Sequence, residues 1–157
     1  MNLDFTGRTA IVTGAAHGFG RAIALAFASR GALVWACDVI ADELAETAQL
    51  CSGKSGSCTT RVVDVRDKDA VTRLATDAAR AAGQVHILVN NAGGVVGQVG
   101  RPLEAVTPAE WQAIFDVNVT GAFLCSQAVA PGMKAANFGR IVNISSGAGL
   151  GISLTWI

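Results

Sequence analysis

The chain has 157 residues, of which 51% are apolar and 15% charged, a balance that excludes a disordered chain. Lys+Arg and Asp+Glu both number 12, and neither sign forms a block. This excludes a binder of phosphate backbones, which needs a concentrated basic face.

A chain of this length is expected to form one domain, burying roughly 70% of the surface its unfolded form exposes. The first residues, MNLDFTGR, carry Asp4 and no apolar h-region, so no signal peptide is expected. No apolar run approaches the roughly 18 residues of a membrane span. The expected compartment is the cytoplasm, with neither a membrane nor a nucleic acid as partner. Cys37, Cys51, Cys58 and Cys125 lack metal-type spacing, so no metal site is expected and the four are read as reduced packing residues.

Thr9 to Gly14 (TAIVTG) is a β-branched run ending in glycine, which predicts a buried strand. GRAIALAFASRG follows, with Ile23 and Phe27 at helical spacing and Gly31 as a stop. ALVWACD is a second strand. ADELAETAQLCSG is a second helix, with Asp42 as its cap and Leu44 and Ala48 on one face. CTTRVVDV is a third strand. DKDAVTRLATDAARAAG then places Val71, Leu74, Ala75 and Ala78 on one apolar stripe, with Asp67 as N-cap and Gly83 as stop.

VHILVN is a fourth strand, with His86 in a structural role at its entry. After a glycine-rich loop, TPAEW predicts a capping box: Thr107 at the N-cap, Pro108 at N1 and Glu110 at N3. The helix runs towards Met133, with a break expected near Asn118 to Gly121. Gly139 precedes the fifth strand, RIVNIS, which enters a loop holding Ser145 and Ser146. Strands alternating with helices imply a doubly wound parallel sheet, Rossmann-like and covered on both faces.

The first strand-to-helix turn, TGAAHGFG, carries Gly14, Gly18 and Gly20 in a Gly-x-x-x-Gly-x-Gly pattern. Such a turn lets the backbone approach a ligand, and the helix behind it offers unpaired N–H groups to a pyrophosphate. A tight turn packing helix on strand explains the glycines equally well. The stricter Gly-x-Gly-x-x-Gly pattern fails at Ile23, and no Gly-Lys-Ser/Thr follows to make a Walker loop. His17 lies in this loop, either exposed to solvent or leaning towards a phosphate. Asp38 ends the second strand, where a carboxylate can hydrogen-bond an adenosine ribose. It would repel a 2′-phosphate, and Val39 after it supplies no cation, so NAD is expected over NADP. The alternative is that Asp38 only caps the next segment.

Five motifs then occur in one order: TGAAHGFG, Asp64-Val65, NNAG at Asn90 to Gly93, Asn118 within DVNVTGAF, and NISSGAG. Together they resemble the short-chain dehydrogenase/reductase family over essentially the whole chain. The resemblance implies that Gly14, Gly18 and Gly20, with His17 and Phe19 beside them, hold the cofactor's pyrophosphate. It implies that Asp64 and Val65 frame the adenine. Asn91, Ala92 and Gly93 would support the sheet and the nicotinamide-side ribose. Asn118 would position a water in a proton relay, the alternative being a structural kink. Ser146, followed by Gly149, would hydrogen-bond the oxygen of an alcohol or ketone substrate.

The family's general acid/base is a tyrosine beyond that serine, followed four residues later by a lysine. This sequence has no tyrosine, and Lys54, Lys68 and Lys134 all precede Ser146. The chain is therefore expected to be a C-terminally incomplete cofactor-binding part of an NAD-dependent oxidoreductase, inactive alone. The alternative is a non-catalytic dinucleotide-binding or interaction module. With the fifth strand an exposed apolar edge, self-association or low solubility is expected. The family's usual subunit contact near Asn118 to Met133 implies a homo-oligomer. The loop Gly93 to Val106 and the stretch Gly147 to Leu154 are expected to wall a substrate pocket suited to a molecule of little charge.

Overall fold

The computed structural model describes residues 3–147. Five strands, β1 (Thr9–Thr13), β2 (Leu33–Asp38), β3 (Ser57–Val62), β4 (Ile87–Asn90) and β5 (Arg140–Asn143), pair in parallel in the order β3-β2-β1-β4-β5. Helices α1 (Gly18–Ala28), α2 (Ala41–Cys51), α3 (Lys68–Ala82), α4 (Pro108–Phe115) and α5 (Gly121–Ala135) lie between them. The doubly wound parallel sheet is the architecture expected from the sequence.

Strand alternation divides the core into two layers. Ala10 and Val12 of β1, Val34 and Ala36 of β2, and Ile87 and Val89 of β4 face Ala24 and Ala28 of α1 and Leu44 of α2. The intervening Ile11, Trp35 and Leu88 face Leu74 and Ala78 of α3 and Val129 and Met133 of α5. The alanines on the first face leave room for α1 to sit close to the sheet. That closeness sets the geometry of the turn from β1 into α1.

The capping signals hold. Asp67 accepts from the amides of Asp69 and Ala70 at 2.9 and 3.0 Å, and Val71, Leu74, Ala75 and Ala78 are buried. Thr107 and Glu110 form the reciprocal box, with Pro108 in the first turn. Hydrogen bonds from the Thr107 amide and hydroxyl, then from Arg101, hold the Glu110 carboxyl down to about 2. A depressed folded-state value means that its contribution is present above the unfolded value of about 4.3 and is lost as pH falls towards 2. An NMR titration is expected to place the Glu110 midpoint nearer 2 than 4. A midpoint in the ordinary carboxylate range would show the box open in solution.

Several expectations are corrected. The α2 N-cap is Ile40, and Asp42 sits inside the first turn, where its charge favours the positive helix end. The third strand spans Ser57–Val62 rather than Cys58 to Val65, with the Val63 amide still donating to the Asp38 carbonyl at 2.9 Å. The helix does not break near Asn118. It continues through a π turn at Asp116–Thr120 between α4 and α5. The continuous helix Pro108–Ala135 is also long and apolar enough, by length and composition, to cross a membrane. Small polar residues dispersed along it hide this from a search for uninterrupted apolar runs. Its Cys125, Val129 and Met133 cover one face of the sheet.

β5 is the exposed edge strand expected from the sequence. It lies at the end of the strand order, and Arg140 to Asn143 are all exposed. Cys37, Cys51 and Cys125 are buried among apolar side chains, and burial pushes the thiols of Cys125 and Cys58 up to about 11 and about 12. Such thiols pack rather than react. His86 Nδ1 accepts from the Thr9 amide at 3.0 Å, tying β1 to the entry of β4. Burial, then the charge of Arg8, holds its pKa below the ordinary value.

Candidate cofactor site

In an open parallel sheet the crevice opens beyond the carboxyl ends of the strands, where the strand order reverses. Here that point lies between β1 and β4. A cavity of about 460 Å³ occupies it.

The β1–α1 turn forms one wall. Gly14 has φ +65°, and a Cβ there would lie 2.8 Å from the Ala92 Cα, so glycine is required for the two loops to approach. The turn's own polar groups are largely satisfied from below. The Ala15 amide donates to the Cys37 carbonyl at 3.0 Å, and the Thr47 hydroxyl donates to the Ala15 carbonyl at 2.8 Å. Arg21 Nε donates to the Ala16 carbonyl at 2.8 Å. The first turn of α1 is treated differently. Its N-cap, His17, makes no side-chain cap bond, and the turn holds no acid. The amides there remain available to an anion, beside the positive end of the helix dipole.

Gly18 and Gly20 have different roles. Gly18 lines the cavity with φ +54°, and a Cβ on it would meet no atom of the chain within 4 Å. A side chain there would take up ligand space. Gly20 does not line the cavity. A Cβ on it would overlap the Gly14 carbonyl oxygen. Its lack of a side chain seats α1 on the turn. Phe19 lines the cavity and is exposed. His17 is exposed and lines it too, with Nδ1 2.6 Å from Glu43 Oε2. It is therefore paired, where the sequence offered only solvent or a phosphate.

Asp38 closes the next side. Its Oδ2 accepts from the Ala16 amide at 2.9 Å, and its Oδ1 accepts from the Val39 and Ile40 amides at 2.7 and 3.2 Å. Asp38 thus braces the turn that leads to α2, and its carboxylate also lines the cavity. Asp64 and Val65 line it as well. Val65 is nearly buried, packed so closely on Gly121 that a Cβ there would meet its Cγ2 at 2.6 Å. Asp64 is engaged by a residue that the sequence reading passed over. Arg66 Nε reaches both its carboxylate oxygens at 3.0 Å, and Nη2 reaches Oδ2 at 2.6 Å. The Arg66 side-chain bonds are the main reason that the Asp64 carboxyl sits below its ordinary value.

The NNAG segment ties the strands together. Asn91 Nδ2 donates to the carbonyls of Thr13 and Gly14, both at 3.0 Å. Thr13 Oγ1 accepts from the amides of Asn91 and Ala92, both at 3.0 Å. Thr13 is a second residue that the sequence reading missed. The available signal was a hydroxyl at the carboxyl end of a buried strand, where apolar residues otherwise fill the run. For Arg66 the signal was Asp-x-Arg at a turn, a spacing that lets the two side chains meet.

Asn118 and Ser146 do not line the cavity. Each is near a residue that does, Val117 and Ile144 respectively. Asn118 sits in the π turn. Its Oδ1 accepts from the Gly94 amide at 3.0 Å, and its Nδ2 donates to the carbonyls of Gly94 and Ile114 at 2.8 Å. It pins the NNAG loop to the helix. Gly149 and the rest of the expected pocket wall beyond Gly147 lie outside the described residues.

Comparison with known proteins gives a consistent result. The family model described as short chain dehydrogenase matches residues 8–156. A (2S)-[(R)-hydroxy(phenyl)methyl]succinyl-CoA dehydrogenase subunit, BbsD, of Thauera aromatica is 39% identical over 92% of this chain and 57% of its own length. The crystal structure of a metagenomic short-chain oxidoreductase in complex with NADP is 39% identical, with a TM-score of 0.85 over 92% of this chain and 65% of that one. An NAD+-bound xylitol dehydrogenase is 30% identical, with a TM-score of 0.88 over 96% of this chain and 57% of that one. The chain spans between 54% and 57% of the length of three such curated relatives.

Proposed function

Because the chain belongs to the short-chain dehydrogenase family, we propose that its cavity holds NAD and that it forms the cofactor-binding part of an oxidoreductase acting on an alcohol or ketone. The observation that carries this reading is the pairing of two features on one cavity. The uncapped first turn of α1 presents amides to a diphosphate, and the Asp38 carboxylate stands beside it. The residues present fit a dinucleotide, since Gly14 and Gly18 keep the turn free of side chains where a pyrophosphate would lie. The bound nicotinamide would supply the hydride chemistry.

The chain's own residues have distinct tasks in this reading. Asp38 accepts from a ribose hydroxyl, and its charge favours NAD over NADP. Asn91, through Thr13 and Gly14, holds the floor of the site rigid. Ala92 and Gly93 border the nicotinamide-side ribose. Asn118 fixes the position of Gly94 and keeps one acceptor lone pair for a water. Ser146 orients the substrate oxygen by a hydrogen bond. The sequence holds no tyrosine to serve as proton donor. The chain alone is therefore a binder, with turnover requiring a phenol from elsewhere. The long helix through α5 is the surface on which we expect a second subunit.

Calorimetric titration with NAD and NADP tests the reading. A charged acceptor on a ribose hydroxyl contributes about 1.5–3 kcal/mol. Asp38→Asn keeps the side chain's size and is expected to weaken NAD by about tenfold or more, with a smaller effect on NADP. The 157 residues are expected to bind NAD without turning over an alcohol. An NAD-to-NADP ratio that Asp38→Asn leaves unmoved would remove the ribose role.

A further inference from the structure

The glycine turn is held from behind by α2, through an arginine that does not itself line the cavity. Arg21 follows Gly20 in α1, and its side chain is only 20% exposed. Its Nε donates to the Ala16 carbonyl at 2.8 Å and to the Thr47 hydroxyl at 3.0 Å. Its Nη2 donates to the Glu43 carbonyl at 3.0 Å and to Glu46 Oε2 at 2.8 Å. Thr47 lies fully buried in α2. Its oxygen accepts from Arg21, and its single proton goes to the Ala15 carbonyl at 2.8 Å.

Two successive carbonyls of the turn, those of Ala15 and Ala16, are thereby drawn towards α2. A trans peptide points its N–H and C=O in opposite directions. The Ala15–Ala16 peptide shows the consequence: its carbonyl rests on Thr47, and its amide donates to Asp38 Oδ2, on the cavity side, at 2.9 Å. The next peptide is fixed in the same way at its carbonyl, so the His17 amide is turned away from α2. That amide makes no hydrogen bond among the described residues, and His17 lines the cavity. Rotated by half a turn, the same peptide would offer a carbonyl oxygen instead and repel a phosphate.

We propose that Arg21 is a positioning residue: with Thr47 it fixes the Ala16–His17 peptide so that the His17 amide, and not the Ala16 carbonyl, is presented to the diphosphate of the dinucleotide. The inference rests on the dinucleotide reading above. Arg21 acts without touching the cofactor, and its charge is taken up by Glu46. The planar guanidinium suits the task, because one rigid group reaches the turn with Nε and α2 with Nη2.

Arg21→Met keeps the length of the stem and removes all of these bonds. Calorimetry on the 157-residue chain is expected to show NAD and ADP each weakened by about tenfold. The specific reporter is the His17 amide in NMR. In the unaltered chain its proton resonance is expected to move on saturation with ADP, as an amide does on gaining an anionic acceptor, and in Arg21→Met that movement is expected to be lost. A brace that only stabilised the fold would lower the urea midpoint and leave the movement intact. Thr47→Val removes the hydroxyl at nearly constant volume and is expected to weaken ADP by about threefold or more, while Thr47→Ser restores the affinity of the unaltered chain. Should Arg21→Met not fold, the two Thr47 variants decide. A His17 resonance that ADP leaves in place, an undiminished movement in Arg21→Met, unweakened NAD in that variant, or equal affinities for Thr47→Val and Thr47→Ser would each overturn the proposal while leaving NAD binding as a fact. Failure of the unaltered chain to bind NAD and ADP would instead overturn the dinucleotide reading beneath it.

Discussion

Gly20→Ala is expected to destabilise the chain by about 3 kcal/mol, at the upper end of what forcing one methyl into a packed site costs. The added Cβ would overlap the Gly14 carbonyl oxygen and lie 2.6 Å from Asn91 Nδ2. Neither neighbour can yield cheaply. The Gly14 carbonyl accepts from Asn91, and Asn91 also holds the Thr13 carbonyl. Moving any of them pulls on β1, β4 and α1 together. Gly18→Ala is the informative contrast. A Cβ there meets nothing, and the cost is about 1 kcal/mol for holding an L-residue at positive φ. The two glycines of one motif should thus separate in urea unfolding. Gly20→Ala lowers the midpoint strongly. Gly18→Ala lowers it slightly and weakens NAD, because its methyl group enters ligand space. Equal midpoints for the two variants would show that the turn is not constrained as described.

Thr13→Val should cost about 2–4 kcal/mol with almost no change in side-chain volume. Thr13 is 1% exposed, and its Oγ1 accepts from two amides, those of Asn91 and Ala92. Valine would leave both donors without that partner, and a buried unpaired group costs about 1–3 kcal/mol. Thr13→Ser keeps the hydroxyl and loses one methyl, worth about 0.8 kcal/mol. Chemical denaturation of the two variants separates the effects. If valine proves no worse than serine, the hydroxyl is not what joins β1 to β4.

Much of the molecule was legible because its signals are local. Asp67 and Thr107 cap helices through atoms two or three residues away, so their spacing alone announces the bonds. The apolar stripe Val71, Leu74, Ala75 and Ala78 follows from helical periodicity and is buried as expected. Most of the motif residues from Gly14 to Gly93, Gly20 and Asn90 aside, gather on one cavity because a parallel sheet brings all its carboxyl strand ends to one edge. Order along the chain was enough for that.

The errors share a cause. Asp42 has the composition of a cap, but α2 already begins at Ala41, with Ile40 as an N-cap that makes no side-chain cap bond. The pattern gives Gly18 and Gly20 one role, and only three-dimensional approach shows that a Cβ would meet nothing at Gly18 and the Gly14 carbonyl at Gly20. The partners of Arg66 and Thr13 became visible only once neighbouring strands and turns were in place. The π turn at Asp116–Thr120 has no periodic signature of its own.

The sequence by itself determined the family, the alternation of strands and helices, and the residues that meet at the carboxyl edge of the sheet. Each of these depends on spacing along the chain, which hydrophobic period and strand-turn-helix order convert directly into position. Only the tertiary structure decided how those residues are used: Gly20 as a seat for α1, Asn118 as a pin for Gly94, Asp64 as a partner of Arg66. Those roles are set by contacts across β1, β4 and the helices, at distances that no linear pattern contains.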